Sequence, residues 1–184
     1  MRYVILIAIA LFSALITGGV SPQLAIFGAE PDLLLIVMLS MELREKTLTP
    51  AIVCSVAAIF IDAFYAPAIG YYSLPYLIIG LIVYFVFAKR EVGAIIIPMI
   101  VCAASWVVKE LLSAAFAFFL GNTFDFFHIF VTSTLPGIPV HAVLMIPVFL
   151  LMGLLYRSNV MIPASASMMD EFPGLVGKGR GRRL

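Results

Sequence analysis

The chain has 184 residues, 64% of them hydrophobic and only 11% charged, with a mean hydropathy of +1.16 and a formal net charge of +1. Water-soluble chains are about half apolar and about a quarter charged, so this one lacks the polar surface that would cover a globule in water. A soluble fold is excluded, the bilayer is the expected solvent, and so few basic residues, with no recognisable fold to present them, argue against nucleic-acid binding.

A hydrocarbon core of about 30 Å takes about 20 apolar helical residues, fewer when a segment is sheltered by its neighbours. On that measure six spans are predicted in an all-α, polytopic membrane domain covering residues 1–157. The first, Tyr3 to Val20, follows Arg2 and is long for a secretory signal; it is expected to be a retained anchor. The second, Leu24 to Met41, is interrupted by Glu30, Pro31 and Asp32 ahead of an apolar run from Leu33 to Leu39. Proline suits a first helical turn, where its missing N–H is not needed, and Asp32 then lies where exposed backbone donors favour a carboxylate. Such a short helix needs its start sheltered by protein or water, and a broken helix of this kind marks either a binding site or a self-capped helix.

The third span, Leu48 to Ala66, carries Ala51, Ser55, Ala58, Asp62 and Ala66 at helical spacing. Small side chains let helix backbones approach closely, so this stripe is a packing face, toward another helix of the chain or toward a partner. An uncharged reversal follows, with Pro67 and Gly70 suited to a turn and Tyr65, Tyr71 and Tyr72 suited to the headgroup level. The fourth span is Ile69 to Ala88, the fifth Gly93 to Leu120 and the sixth Phe130 to Tyr156.

Basic residues set the orientation. Arg2, Arg44, Lys46, Lys89, Arg90, Arg157 and the four in the tail all fall on one side of a six-span chain, which places both termini in the cytoplasm. Residues 158–184, closing on Gly-Lys-Gly-Arg-Gly-Arg-Arg, read as a disordered basic tail, either a topology determinant or a contact with anionic lipid.

Ionisable side chains at mid-bilayer cost about 3 kcal/mol each on insertion scales, so Asp62, Lys109, Glu110 and His141 call for partners. Counted from their cytoplasmic ends at the helical rise, Asp62, Lys109 and His141 share a layer about 21 to 24 Å deep. Adjacent residues diverge by about 100°, so Lys109 and Glu110 are poor partners for each other. The expected arrangement is a buried network in which Lys109 meets Asp62 while Glu110 faces His141 or a hydroxyl. The functional alternative is a proton or ion path.

Motifs for chemistry are missing: the sequence has no nucleophile elbow, phosphate loop, zinc-binding helix or haem attachment motif. Ser55, Ser105 and Ser113 have no evident His and carboxylate grouping, and Cys54 and Cys102 lie in apolar runs without further ligands. A non-enzymatic protein with no cofactor, metal or catalytic residues is expected.

The Pro31-Asp32 start with its leucine-rich continuation, and Ile59-Phe60-Ile61-Asp62 leading through Ala66-Pro67 to Gly70 and Leu74, together resemble the rod shape-determining MreD family. The match covers about residues 1–157, and its motif residues here are Pro31, Asp32, Asp62 and Gly70. The resemblance implies a scaffold of the bacterial inner membrane that binds MreC and works with MreB, RodA and a penicillin-binding transpeptidase in lateral peptidoglycan synthesis. It also implies a six-helix fold similar to the substrate-binding subunits of energy-coupling-factor transporters. Lys109, Glu110, His141 and the basic tail lie outside that motif. The competing class is a membrane subunit that captures a small solute of the vitamin type.

Overall fold

In a computed structural model of the chain, residues 2–20, 23, 25, 29–89, 92, 95–121 and 130–157 are described; the basic tail lies outside them. They form six helices: α1 (Arg2–Gly19), α2 (Leu33–Glu45), α3 (Thr49–Tyr65), α4 (Ser73–Phe87), α5 (Ile96–Phe119) and α6 (Leu135–Arg157), the last entered through a π turn at Phe130–Thr134. Two stretches, Ile96–Phe119 and Phe130–Arg157, are long and apolar enough to cross a membrane; Tyr3–Gly19, Thr49–Tyr65 and Ser73–Phe87 are apolar but shorter.

The centre of the bundle is its shortest helix. The run from Leu33 to Leu39 in α2 is apolar on every side, and such a helix is stable only when enclosed. It packs against α1, α3, α4, α5 and α6, and every residue from Leu34 to Leu43 is buried. The helix of the second predicted span begins at Leu33 and runs past Met41 to Glu45, which corrects the predicted end; the predicted start at Leu24 lies outside the described residues. Pro31 and Asp32 set the start, the Asp32 carboxylate accepting from the Leu35 N–H at 3.0 Å as an N-cap. Lys46 sets the end, at φ 55° in the left-handed region, its N–H returning to Glu42 O at 2.8 Å.

Running to Glu45 draws two acids into protein. Glu45 accepts from the Tyr156 hydroxyl at 2.6 Å and from Thr47 Oγ1 at 3.2 Å. Beside it Arg44 reaches α6, donating to Phe149 O at 2.7 Å with its guanidinium 3.9 Å from the Phe149 ring centre. Gly153 leaves room for that guanidinium, which a β-carbon would meet at 2.7 Å. The C-terminal ends of α2 and α6 thus meet at one end of the bundle. At the other end Leu34 N–H donates to Thr17 Oγ1 near the end of α1, at 3.0 Å.

The small-residue stripe of α3 is consumed within the chain. Ala51, Ser55 and Ala58 are all buried, and the Ser55 hydroxyl returns to Ala51 O at 2.7 Å. Opposite them Gly80 of α4 packs so closely that a β-carbon there would collide with Ala51. Small residues on both sides bring the two helix axes together and strengthen dispersion contacts. Cys54 and Cys102 are buried free thiols.

Candidate functional site

At the end of the bundle where α2 begins, buried polar side chains from α4, α5 and α6 converge on Asp32. Besides its own helix N-terminus, Asp32 accepts from the Tyr76 hydroxyl of α4, 2.7 Å from each oxygen, and pairs with Lys109 Nζ of α5 at 2.8 Å. Its backbone N–H donates to His141 Nε2 of α6 at 2.9 Å. Because Nε2 accepts, the ring proton is on Nδ1, which donates to Gly137 O at 2.7 Å. The imidazole is thereby held neutral in one tautomer, with no ring nitrogen left for a serine hydroxyl.

Trp106 seals this arrangement. Its ring stacks on His141 with centroids 3.8 Å apart and planes 18° apart, and its Nε1 donates to Thr134 O at 3.2 Å. Gly137 makes the space, since a β-carbon there would run into the indole. Lys109 Nζ lies 4.5 Å from the Trp106 ring centre and 5.6 Å from that of Tyr72, a cation resting between two aromatic faces. Glu110 Oε1 completes the set at 3.5 Å from the ammonium.

Asp62 is elsewhere. One of its oxygens accepts from Tyr72 N–H at 2.7 Å; the other accepts from Gly70 N–H at 2.9 Å, Ser73 N–H at 3.2 Å and Ser73 Oγ at 2.6 Å. The side chain clasps the reversal between α3 and α4 and supplies acceptors to the start of α4. Gly70, at φ +103°, takes a backbone conformation that L side chains rarely adopt, which lets the chain turn its N–H back toward the aspartate. The eight-residue interval between Asp62 and Gly70 therefore has a direct mechanical meaning.

Two expected pairings are corrected. Lys109 pairs with Asp32, not with Asp62, because the four donors of the reversal already saturate Asp62. Glu110 stands beside Lys109, 3.5 Å from its ammonium, rather than facing His141, whose two ring nitrogens are both occupied. The two aspartates, which shared a motif by resemblance, serve separate structures.

Tyr76, Trp106 and Glu42 were not singled out from the sequence. For Trp106 the signal was present, since Cys102, Trp106, Lys109 and Ser113 recur at steps of four, three and four along one face of α5 and all are buried. Glu42 was hidden by ending the second span at Met41. It is buried between α2, α3 and α4, and neither carboxylate oxygen has a hydrogen-bond partner among the described residues.

Above the Lys109 layer a cavity of about 350 Å³ opens, bordered by Glu30, Asp32, Trp106, Lys109, Glu110 and Ser113, with Tyr65, Tyr71 and Tyr72 on its walls. Ser113 is 6% exposed, and its Oγ has no hydrogen-bond partner among the described residues. Among those residues no group of three His, Cys, Asp or Glu is placed to hold a metal ion.

Comparison of the chain with family models, with curated protein sequences and with solved structures finds no match.

Proposed function

We propose that the protein is a non-enzymatic scaffold of the MreD type: six spans in the bacterial inner membrane, both termini cytoplasmic, binding MreC and supporting MreB, RodA and a penicillin-binding transpeptidase in lateral wall synthesis. The observation that carries this reading is how the motif residues are used. Asp32 and Asp62, both 2% exposed, spend their acceptors on holding helices and a turn of their own chain, which is what a rigid docking body requires. The outward faces supply the complement. Phe64, Ile69, Phe85, Phe118 and Phe119 are exposed apolar side chains suited to lipid or to partner helices. Arg44 and Arg157 lie in the last turns of α2 and α6, whose C-terminal ends meet, and this placement of basic residues supports the six-span orientation.

The cavity beside Lys109 favours a second reading, capture of a small solute between helices, as in the substrate-binding subunits of vitamin transporters. One affinity purification from native membranes separates the two. The scaffold reading expects MreC in the eluate and loss of rod shape when the gene is disrupted; a retained vitamin together with an ATPase module, and no MreC, would replace it.

A further inference from the structure

The cavity above Lys109 is built for more than holding the fold, and its charge says for what. Among the described residues its charged lining is three acids, Glu30, Asp32 and Glu110, against one base, Lys109, a surplus of negative charge. Lys109 is already committed, at 2.8 Å to Asp32 and 3.5 Å to Glu110, so it offers little to an incoming anion. Glu110 is the looser partner and the more exposed, its side chain 21% accessible against 2% for Asp32. It therefore keeps acceptor capacity toward the cavity. Glu30 is exposed at the rim.

Aromatic rings repeat the preference. The chain's own ammonium rests between Trp106 and Tyr72, and Tyr65 and Tyr71 line the remaining wall. Ring faces and surplus carboxylates together attract a cation and repel an anion. An independent sign that something belongs there is Ser113: its buried hydroxyl has no hydrogen-bond partner among the described residues, a costly state, and it borders the cavity one helical turn beyond Lys109. The volume, about 350 Å³, is at the small end of the range for ligand pockets.

From this juxtaposition we propose that the cavity is a binding site for a small organic cation, a protonated amine whose ammonium is held by Glu110 and Glu30, whose apolar body rests on the tyrosines, and which gives Ser113 its missing partner. The assignment goes beyond the scaffold reading and does not depend on it. Whether the amine is free or belongs to an ethanolamine headgroup, the recognising chemistry is the same.

Trp106 is the only tryptophan in the chain and borders the cavity, so its fluorescence reports on this site alone. Three probes of matching shape decide the charge preference on the full chain in detergent: phenethylamine, the neutral 2-phenylethanol and the anionic phenylacetate. The expected result is a saturable change with phenethylamine at least about tenfold tighter than with either of the others, weakening as salt rises. Glu110→Gln should reduce that affinity about five- to tenfold, and Glu30→Gln about two- to threefold at low salt only.

Binding of the three probes within about threefold of one another, preference for phenylacetate, or no saturable change with any of them would overturn the assignment. So would full affinity in Glu110→Gln. If that variant does not stay monodisperse, Glu30→Gln at the exposed rim decides alone, and unchanged low-salt affinity there overturns the proposal. In nanodiscs, displacement of phenethylamine by phosphatidylethanolamine but not by phosphatidylglycerol identifies the headgroup as the natural source; retention in both identifies a free amine.

Discussion

Asp32 and Asp62 are equally buried, lie at the same end of the bundle and are both saturated with donors, yet they are saturated in opposite ways. Asp62 takes its donors from residues eight to eleven positions later, three of them backbone N–H groups. Asp32 takes one donor from its own helix and the others from Tyr76 and Lys109, 44 and 77 residues away, while its backbone binds a histidine 109 residues away. The first is a local device that shapes a turn. The second is a tertiary device that locks α2 to α4, α5 and α6. A carboxylate clasped by backbone depends on few side-chain identities, whereas one shared among helices is weakened by the loss of any side-chain partner, by an amount that depends on which partner it is.

The sharpest way to break this contrast is to remove the clasp. Asp62→Ala should be the most damaging change, because the N–H groups of Gly70, Tyr72 and Ser73 lose a charged acceptor together; with about 1.5 to 3 kcal/mol per such bond, a loss of at least about 4 kcal/mol is expected. Thermal unfolding in detergent measures it, and Asp62→Asn, which keeps one carbonyl acceptor, should recover part. Wild-type stability in the alanine variant would show that the reversal holds without its aspartate.

Next in size is the cross-helix pair. Lys109→Met strands a buried carboxylate and should cost about 3 to 5 kcal/mol, whereas Lys109→Met with Asp32→Asn should cost less than the single change. The same comparison made with Asp62→Asn as the second substitution should show no rescue, since Asp62 does not touch the lysine. Rescue by Asp62→Asn rather than by Asp32→Asn would reverse the assignment of partners.

The smallest expected effect is at Tyr76. Tyr76→Phe removes one donor from Asp32 but leaves Leu35 N–H and Lys109 in place, so a loss of about 1 to 2 kcal/mol is expected in the same unfolding measurement. A cost as large as that of Lys109→Met would mean that the hydroxyl, and not the ammonium, holds the carboxylate.

Much of this architecture could be read directly from residue order. Hydropathy located six helices because apolar side chains must face lipid or one another wherever the chain lies, and the predicted ends of α1, α3, α4, α5 and α6 agree with the structure to within a few residues. The start of α2 was also legible in Pro31 and Asp32, since capping is a contact within one turn. The stripe on α3 was legible as small residues at helical spacing, though not which helix it meets.

What sequence could not decide is which buried charges meet. Depth counting placed Asp62, Lys109 and His141 in one layer, but depth is one coordinate, and pairing depends on rotation about each helix axis and on which helices are neighbours. Both are settled by packing: by α2 taking the centre of the bundle, by Gly137 admitting Trp106, and by the α3–α4 turn consuming Asp62 before any lysine reaches it. Local capping and apolar content are properties of a few consecutive residues and so were written in the chain. The Asp32–Lys109–His141 cluster and the cavity above it exist only where separate helices converge, and only the folded bundle creates them.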